Sequence, residues 1–234
     1  MAGKVAIVTG AGRGIGRAVA LTLAREGYNL SLAARSEDEL ARVRQAVTRQ
    51  KVRAIAAPTD VTDSAEVAAL VDATTEAFGR VDLLVNVAGA AVFKEDPEAM
   101  TDEDFDQMVD VNFRGVFLTT RAAWPIMRQQ PGGGVIVNIS SQAAREPYPG
   151  FAVYGASKAA VNTFTEAMAK AGRKCNIRLY SVCPGYVETS MLRTLFPDVP
   201  AEACLSPADV AEVVAWCATD VAKDCSGQAI WLKK

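Results

Sequence analysis

Residues 8–18 read VTGAGRGIGRA, in which glycine occupies positions 10, 12, 14 and 16. The segment before it, KVAIVTG, is a short apolar run typical of a buried strand, and IGRAVALTLAREGY after it carries apolar residues at helical spacing. A turn between strand and helix lies at the helix N-terminus, where glycines admit a pyrophosphate and free amides attract it. The stretch therefore predicts a dinucleotide-binding βα unit; a tight turn in another α/β fold, such as a methyltransferase, is the alternative.

The same alternation of short β-rich runs and amphipathic helical segments continues to the final GQAIWLKK. Strands that alternate with helices predict a parallel sheet joined by right-handed crossovers. No repeat, low-complexity linker or compositional break interrupts the pattern. We therefore expect residues 1–234 to form a single-domain Rossmann-like α/β fold, a doubly wound parallel sheet of about seven strands with helices on both faces.

Polar residues mark where several helices are expected to begin. Ser36 precedes the helix over 36–49, Ser64 opens one that ends at Phe78, and Thr101 with Asp104 resembles a capping box. The least regular stretch is 190–205, SMLRTLFPDVPAEACL, which contains two prolines. It predicts a substrate loop or short helices beside a pocket.

Composition excludes several classes of protein. The net charge of about −2 gives no electrostatic reason to expect a nucleic-acid or anionic-membrane partner. No stretch reaches the ~18 uncharged apolar residues of a membrane span, and MAGKVAIVTG lacks the divisions of a signal peptide. We expect a cytoplasmic protein.

Metal binding is not expected either. The chain has five cysteines and no histidine, and no CxxC pair occurs. An odd cysteine count without partner ligands argues against both zinc and a disulfide framework. The cysteines are interpreted as small buried apolar residues in a reducing compartment.

The end of the second strand bears on which dinucleotide binds. An NAD-specific site usually has an acid there, for the ribose 2′-hydroxyl. This chain has Arg35 instead, and Arg13 stands inside the glycine turn. A planar guanidinium suits a 2′-phosphate, so the two arginines favour NADP(H) over NAD(H). Solvated surface arginines are the alternative.

The segments TGAGRGIG, NVAG, VNFRG, NISS, YGASK and PGYVET occur in this order along the chain. With them the chain resembles the short-chain dehydrogenase/reductase family over essentially its full length. The resemblance implies that Tyr154 protonates a carbonyl oxygen while hydride reaches the carbon. Ser141, thirteen positions before it, would bond that oxygen, and Lys158 would also hold the cofactor ribose. Asn112 would shape its helix and hold a water that links Lys158 to solvent.

The chemistry of the tyrosine and lysine supports this implication. Tyr154 and Lys158 are four residues apart, on one helix face. A phenol has a pKa near 10, too high for proton transfer at pH 7, and a neighbouring ammonium lowers it by roughly 1–3. The pair thus offers a proton donor to a chain that has no histidine.

The resemblance also assigns cofactor contacts. Asp60 would bond the adenine amino group, Asn86, Ala88 and Gly89 match NNAG with Val87 in place of the second asparagine, and Thr189 would hold the carboxamide. The full cofactor-binding set is Gly10, Gly12, Arg13, Gly14, Ile15, Gly16, Arg35, Asp60, Val61, Asn86, Ala88, Gly89, Tyr154, Lys158, Pro184, Gly185, Val187 and Thr189.

The substrate is defined only by class. The expected pocket wall is mostly apolar, which suits a ketone or aldehyde with hydrophobic bulk. It comprises Phe93, Gln142, Ala143, Ala144, Tyr148, Tyr186, Met191 and Leu192. A ketoreductase for carrier-bound acyl groups, docked through Arg173 and Lys174, and a redox sensor that binds NADP(H) without turnover are alternatives. The resemblance further implies a homodimer or homotetramer, paired through the helices near 101–128 and 151–171.

Overall fold

The computed structural model describes residues 3–234, so the first two residues of the predicted domain lie outside the described residues. The described residues form one sheet of seven parallel strands in the order β3-β2-β1-β4-β5-β6-β7. The strands are β1 (Val5–Thr9), β2 (Asn29–Ala34), β3 (Ala54–Pro58), β4 (Leu83–Asn86), β5 (Gly134–Ile139), β6 (Ile177–Pro184) and β7 (Ala229–Leu232). The predicted doubly wound fold is confirmed.

Helices cover both faces of the sheet. They are α1 (Gly14–Arg25), α2 (Glu37–Thr48), α3 (Ser64–Phe78), α4 (Asp102–Val109), α5 (Gly115–Gln129), α6 (Ala152–Gly172), α7 (Ser190–Leu195) and α8 (Pro207–Cys217). One core joins α1, α2 and α8 to the sheet, and the other joins α3, α5 and α6 to it. In the described part of the chain no helix is long and apolar enough to cross a bilayer.

Successive residues of the central strands pack alternately into the two cores. Ala6 and Val8 of β1 enter the first core, whereas Ile7 between them enters the second. Successive strand residues point to opposite faces, and a parallel sheet covered on both sides needs apolar residues at every position. This explains why β1 is buried throughout and reads as a continuous apolar run.

Strands β2 and β3 lie on one side of β1, and strands β4 to β7 lie on the other. The turns after β1 and β4 meet at this switch point. The Thr9 hydroxyl accepts hydrogen bonds from the Val87 and Ala88 amides at 3.0 and 3.2 Å. A Cβ on Gly10, which has φ +62°, would lie 2.8 Å from the Ala88 nitrogen. Glycine is therefore required here by both conformation and space. Ligands of open α/β sheets bind in the crevice at such a point.

The helix caps agree with the sequence prediction at two of three places. Ser36 caps α2, and Thr101 with Asp104 forms a capping box at α4. The predicted cap at Ser64 is wrong. Asp63 is the N-cap of α3, because its side chain accepts hydrogen bonds from the backbone amides of Ala65 and Glu66 at 2.7 and 3.1 Å. Both residues are good N-caps, so the sequence alone left a one-residue ambiguity.

Buried amides tie α5 and α6 to the middle of the sheet. Asn86 donates to the Asn138 oxygen at 2.8 Å, and Asn138 donates to the Thr165 hydroxyl on α6 at 2.9 Å. Thr119 on α5 donates to the Asn86 oxygen at 2.8 Å. Because the participants are buried, loss of one member leaves others without partners.

We expect Asn138→Ala to lower the free energy of unfolding by about 2–3 kcal/mol, because the Asn86 amide and Thr165 hydroxyl each lose a partner in a dry site. Urea titration followed by circular dichroism measures this. Asn162→Ala is the matched control, since within residues 3–234 the side chain of Asn162 makes one hydrogen bond, which its oxygen accepts from the Cys183 thiol at 3.5 Å. Equal losses in the two variants would contradict the assignment of stability to the buried amides.

Candidate active site

A cavity of about 920 Å³ opens at the carboxyl ends of the strands, at the switch point between β1 and β4. Its floor is the glycine turn after β1 and the turn after β4, and its far wall is α6 with the segment after β6. A cavity of this size accommodates a dinucleotide portion together with a small substrate.

The cavity collects nearly all of the predicted cofactor residues. Every member of the set lines it except Asn86, whose side chain is buried in the bonds to Asn138 and Thr119. Asn86 thus supports the site from below rather than facing it. The close approach of Gly10 to Ala88 leaves bare backbone on the cavity floor, and this is the surface that a pyrophosphate needs. The residues present fit a nicotinamide dinucleotide.

Charged side chains gather where α2 meets the glycine turn. Arg13, Arg35 and Asp60 line this end as predicted, and Glu39 of α2 joins them. Two bonds from Thr62 lower the pKa of Asp60 despite some desolvation, and the charge of Arg35 lowers it further. Glu39 was not foreseen, because sequence reasoning looked for an acid at the end of β2, whereas this one lies on the first turn of the next helix.

Three predicted catalytic side chains face the cavity together. They are Ser141 after β5, and Tyr154 and Lys158 on the first turns of α6. The Ser141 oxygen accepts the Ala143 amide at 3.1 Å, which leaves its own proton free to donate. The Lys158 ammonium donates to the Ile139 carbonyl at 2.9 Å and lies 5.9 Å from the Tyr154 ring centre. The arrangement offers two hydroxyl donors beside one cation.

Burial controls the protonation of this group. It raises the pKa of Tyr154, and the bond with Ser141 only partly offsets the rise. It also lowers the pKa of Lys158 to about 8, because the charged form loses its hydration. The direction at Tyr154 is opposite to the sequence expectation of a lowering by Lys158, because the loss of hydration dominates the pKa of the phenol in the chain alone. At pH 7 the phenol is neutral and the lysine mostly charged.

Asn112 lies apart from the cavity, fully buried in a π-helical turn over residues 110–114 between α4 and α5. Its side-chain oxygen accepts a hydrogen bond from the Ala90 backbone nitrogen at 2.9 Å, and its side-chain nitrogen donates one to the Ala90 carbonyl at 2.8 Å. It also donates to Ser157 at 3.0 Å, on the turn of α6 that carries Lys158. Asn112 therefore fixes the β4 turn against α6, and such π-turns are frequent at functional sites.

A family model described as short chain dehydrogenase matches residues 4–200. The chain belongs to the short-chain dehydrogenase/reductase family. It is 37% identical over 216 residues to an uncharacterized oxidoreductase of Staphylococcus aureus strain MRSA252. The matched region covers 92% of this chain and 91% of that protein.

Solved structures agree with this membership. The 3-ketoacyl-(acyl-carrier-protein) reductase from Brucella melitensis, complexed with NADH, superposes with a TM-score of 0.91 at 33% identity, over 98% of this chain and 96% of that one. Levodione reductase superposes with a TM-score of 0.90 at 32% identity, again over 98% and 96%.

The substrate end of this short-chain dehydrogenase/reductase is aromatic. Phe151 contacts the Tyr154 ring edge-to-face at 4.9 Å, and Phe196 contacts Phe151 at 5.4 Å. Of the expected wall, Gln142, Ala143, Tyr148, Tyr186, Met191 and Leu192 line the cavity, whereas Ala144 and Phe93 do not. Phe93 instead packs behind the wall, on Phe151 and Phe196. Phe196 belongs to the stretch 190–205 that was expected beside a pocket, and it lines the cavity. Phe151 was missed because nothing in its local sequence marks it as facing a cavity.

The segment 188–205 covers this end and is tied together from within. The Arg193 guanidinium pairs with Glu188 and donates to the carbonyls of Pro197 and Val199, at 3.2 and 2.6 Å. At its base the Glu188 amide donates to the Leu205 carbonyl at 2.9 Å. The expected short helices are present as α7 and a 3-10 turn over Ala201–Ala203.

The carrier-protein alternative would dock through Arg173 and Lys174, and neither of them lines the cavity. Both follow the C-terminus of α6, whereas Tyr154 lies near its start. At ~1.5 Å per residue the helix separates them by about 28 Å. Besides Arg13, Arg35 and Lys158, the cavity is lined by the cations Lys233 and Lys234. Lys233 pairs with Glu146 at 3.5 Å, and Lys234 donates to the Cys204 carbonyl at 3.0 Å.

The buried lysine predicts a specific dependence of stability on pH. Burial lowers the pKa of Lys158 to about 8 in the folded chain, below the ordinary value of 10.5 for a lysine. Between these values the unfolded chain binds the proton and the folded chain does not, so the lysine contributes increasing stability as pH rises. Relative to Lys158→Met, we expect the wild-type free energy of unfolding to rise by roughly 2 kcal/mol from pH 7.5 to 9.5.

Urea titrations of both proteins at the two pH values measure this difference. Lys170→Met is the matched control, since that lysine is exposed on the same helix and pairs with Glu166. A pH-independent difference for Lys158→Met would show that the pKa of Lys158 is not lowered in the folded chain.

Proposed function

We propose that the chain is an NADPH-dependent reductase that transfers a hydride to the carbonyl of a ketone or aldehyde, and that reversibly oxidises the alcohol. The observation that carries this is the convergence of Ser141, Tyr154 and Lys158 in the cavity that the glycine turn opens into. The names of two structural neighbours, a 3-ketoacyl reductase and levodione reductase, support a carbonyl substrate.

The residues divide the work by their chemistry. The bound nicotinamide would supply the hydride. The Ser141 hydroxyl donates to the carbonyl oxygen, where negative charge develops. Tyr154, kept neutral by its raised pKa, gives its proton to that oxygen. Lys158 would hold the ribose of the bound cofactor and would stabilise the phenolate that remains. A water between Asn112 and Lys158 stays a prediction; a Cβ on Gly89 would lie 3.3 Å from the Asn112 oxygen and 3.6 Å from the Lys158 nitrogen, so both atoms face one spot.

The preference for NADPH rests on Arg13 and Arg35. Both line the cavity end beyond the glycine turn, and no ion pair engages Arg35 among the described residues. A guanidinium in this position suits a 2′-phosphate by charge and by its planar geometry. The NADH in the Brucella structure concerns that protein, so the preference of this chain needs its own measurement.

The two alternative functions receive less support. A carrier protein needs a basic surface at the cavity mouth, but Lys233 and Lys234 are engaged by Glu146 and Cys204. A redox sensor would need the cofactor end alone. It has no physical need for Ser141 and Tyr154 aimed into the same cavity.

The expected pairing of subunits also has support in the structure. Apolar residues of α5 and α6 line a second, smaller groove that includes the exposed Phe117 and the half-buried Trp124, Phe164 and Met168. Phe117 is 40% exposed, although it is a large apolar residue. A homodimer or homotetramer built through these helices would bury this surface.

We expect Tyr154→Phe to abolish turnover while the dissociation constant for NADPH changes by less than about tenfold, because only the proton donor is lost. Fluorescence titration measures binding, and NADPH consumption with a panel of aldehydes, diketones and β-ketoesters measures turnover. Tyr148→Phe is the control, since burial raises the pKa of Tyr148 to about 12 and the ring still fills the wall. Substantial turnover by Tyr154→Phe would contradict the proton-donor role.

We expect Arg35→Asp to shift the NADPH/NADH affinity ratio toward NADH by about 2–3 kcal/mol, since a charge-assisted contact is replaced by repulsion. The same titrations with both cofactors give the ratio. Arg44→Asp, an equal charge change on the exposed face of α2, controls for long-range effects. An unchanged ratio in Arg35→Asp would show that Arg35 does not contact the phosphate.

A further inference from the structure

The carboxylate of Glu39 lies directly over the glycine turn. A Cβ on Gly12 would come within 2.5 Å of its Oε2 atom and within 2.8 Å of its Cβ atom. Only glycine leaves room for this side chain. The first turn of α2 holds it there, because the Glu39 amide donates to the Ser36 cap at 3.3 Å.

The position of Glu39 brings it into contact with a cation. Its Oε1 atom is 3.9 Å from the Arg13 guanidinium, and the Glu39 side chain is 28% exposed against 71% for Arg13. Glu37 and Asp38, the other acids of this turn, are exposed and do not line the cavity. Glu39 is therefore the acid of α2 that shares the cavity with Arg13 and Arg35.

These charges act on a phosphate in opposite senses. Arg13 and Arg35 attract it, whereas the Glu39 carboxylate repels it and occupies one side of the Arg13 guanidinium. Interactions between partly exposed charges at such distances are modest and screened by salt, but they decide between ligands that differ only in charge. The pyrophosphate is common to NADH and NADPH, so its repulsion by the carboxylate cancels in the ratio of the two affinities. Only NADPH carries the additional charged 2′-phosphate, because the 2′-hydroxyl of NADH is neutral.

We propose that Glu39 is a specificity-determining residue that competes with the 2′-phosphate for Arg13 and so weakens the preference for NADPH that the two arginines create. The inference rests on the proposed function, because it concerns the same dinucleotide site. Glu39 would thereby bring the affinity for NADPH closer to the affinity for NADH. It would do so from the first turn of α2, outside the usual position of such an acid at the end of β2.

The test is equilibrium binding of NADPH and NADH to the purified chain, followed by fluorescence, at 50 and at 300 mM salt. For Glu39→Gln we expect NADPH to bind about fivefold to tenfold more tightly at low salt, and NADH to change by less than twofold. We expect the gain to shrink at high salt, because screening weakens the repulsion that was removed. When Glu39→Gln is combined with Arg13→Ala, we expect NADPH affinity to increase by less than threefold, because the Arg13 guanidinium for which Glu39 competes is absent.

Glu37→Gln is the matched control, because it removes the same charge from the same turn without facing the cavity. We expect it to change both affinities by less than twofold. Unchanged or weaker NADPH binding by Glu39→Gln would overturn the inference. A selective loss of NADH binding would also overturn it, by showing that Glu39 accepts from the ribose hydroxyls. A wild-type chain that binds neither cofactor would instead refute the proposed function itself.

Discussion

The contact between the turns after β1 and β4 is the constraint on which the site depends. The Thr9 hydroxyl holds two amides of the β4 turn, and the missing Cβ of Gly10 lets the backbones approach. The two turns, the N-terminus of α1 and the first turns of α6 line one cavity. A side chain at Gly10 would force the two turns apart and open the cavity floor.

The cost of this arrangement is concentrated in one cation. Lys158 is buried, and desolvation disfavours its charged form. The Ile139 carbonyl offsets part of that cost, and the buried amides of Asn112, Asn86 and Asn138 hold the surrounding elements in place. The fold thus keeps a destabilising group where chemistry needs it and supports it through neutral hydrogen bonds.

The sequence predicted those features that depend on local pattern. The periodicity of apolar residues gave the order of strands and helices, and the motif spacing placed Ser141, Tyr154 and Lys158 in one cavity. It did not predict features that depend on distant packing. Glu39 reaches the cavity only because α2 packs beside the glycine turn, and Asn86 turns inward because Asn138 lies on the adjacent strand. The direction of the Tyr154 pKa likewise depends on burial, which sequence spacing does not report.

The internal bonds of segment 188–205 have a consequence for how ligands enter and leave. Because Arg193 bonds to acceptors within the segment, we expect the covering loop to move as one unit instead of unravelling. Phe196 joins it to the wall through tilted and edge-to-face ring contacts with Phe151, Tyr148 and Tyr186. Movement of the loop away from the cavity would expose these apolar rings to water. We therefore expect ligand exchange by this route to respond to temperature and to cosolvents more than to ionic strength.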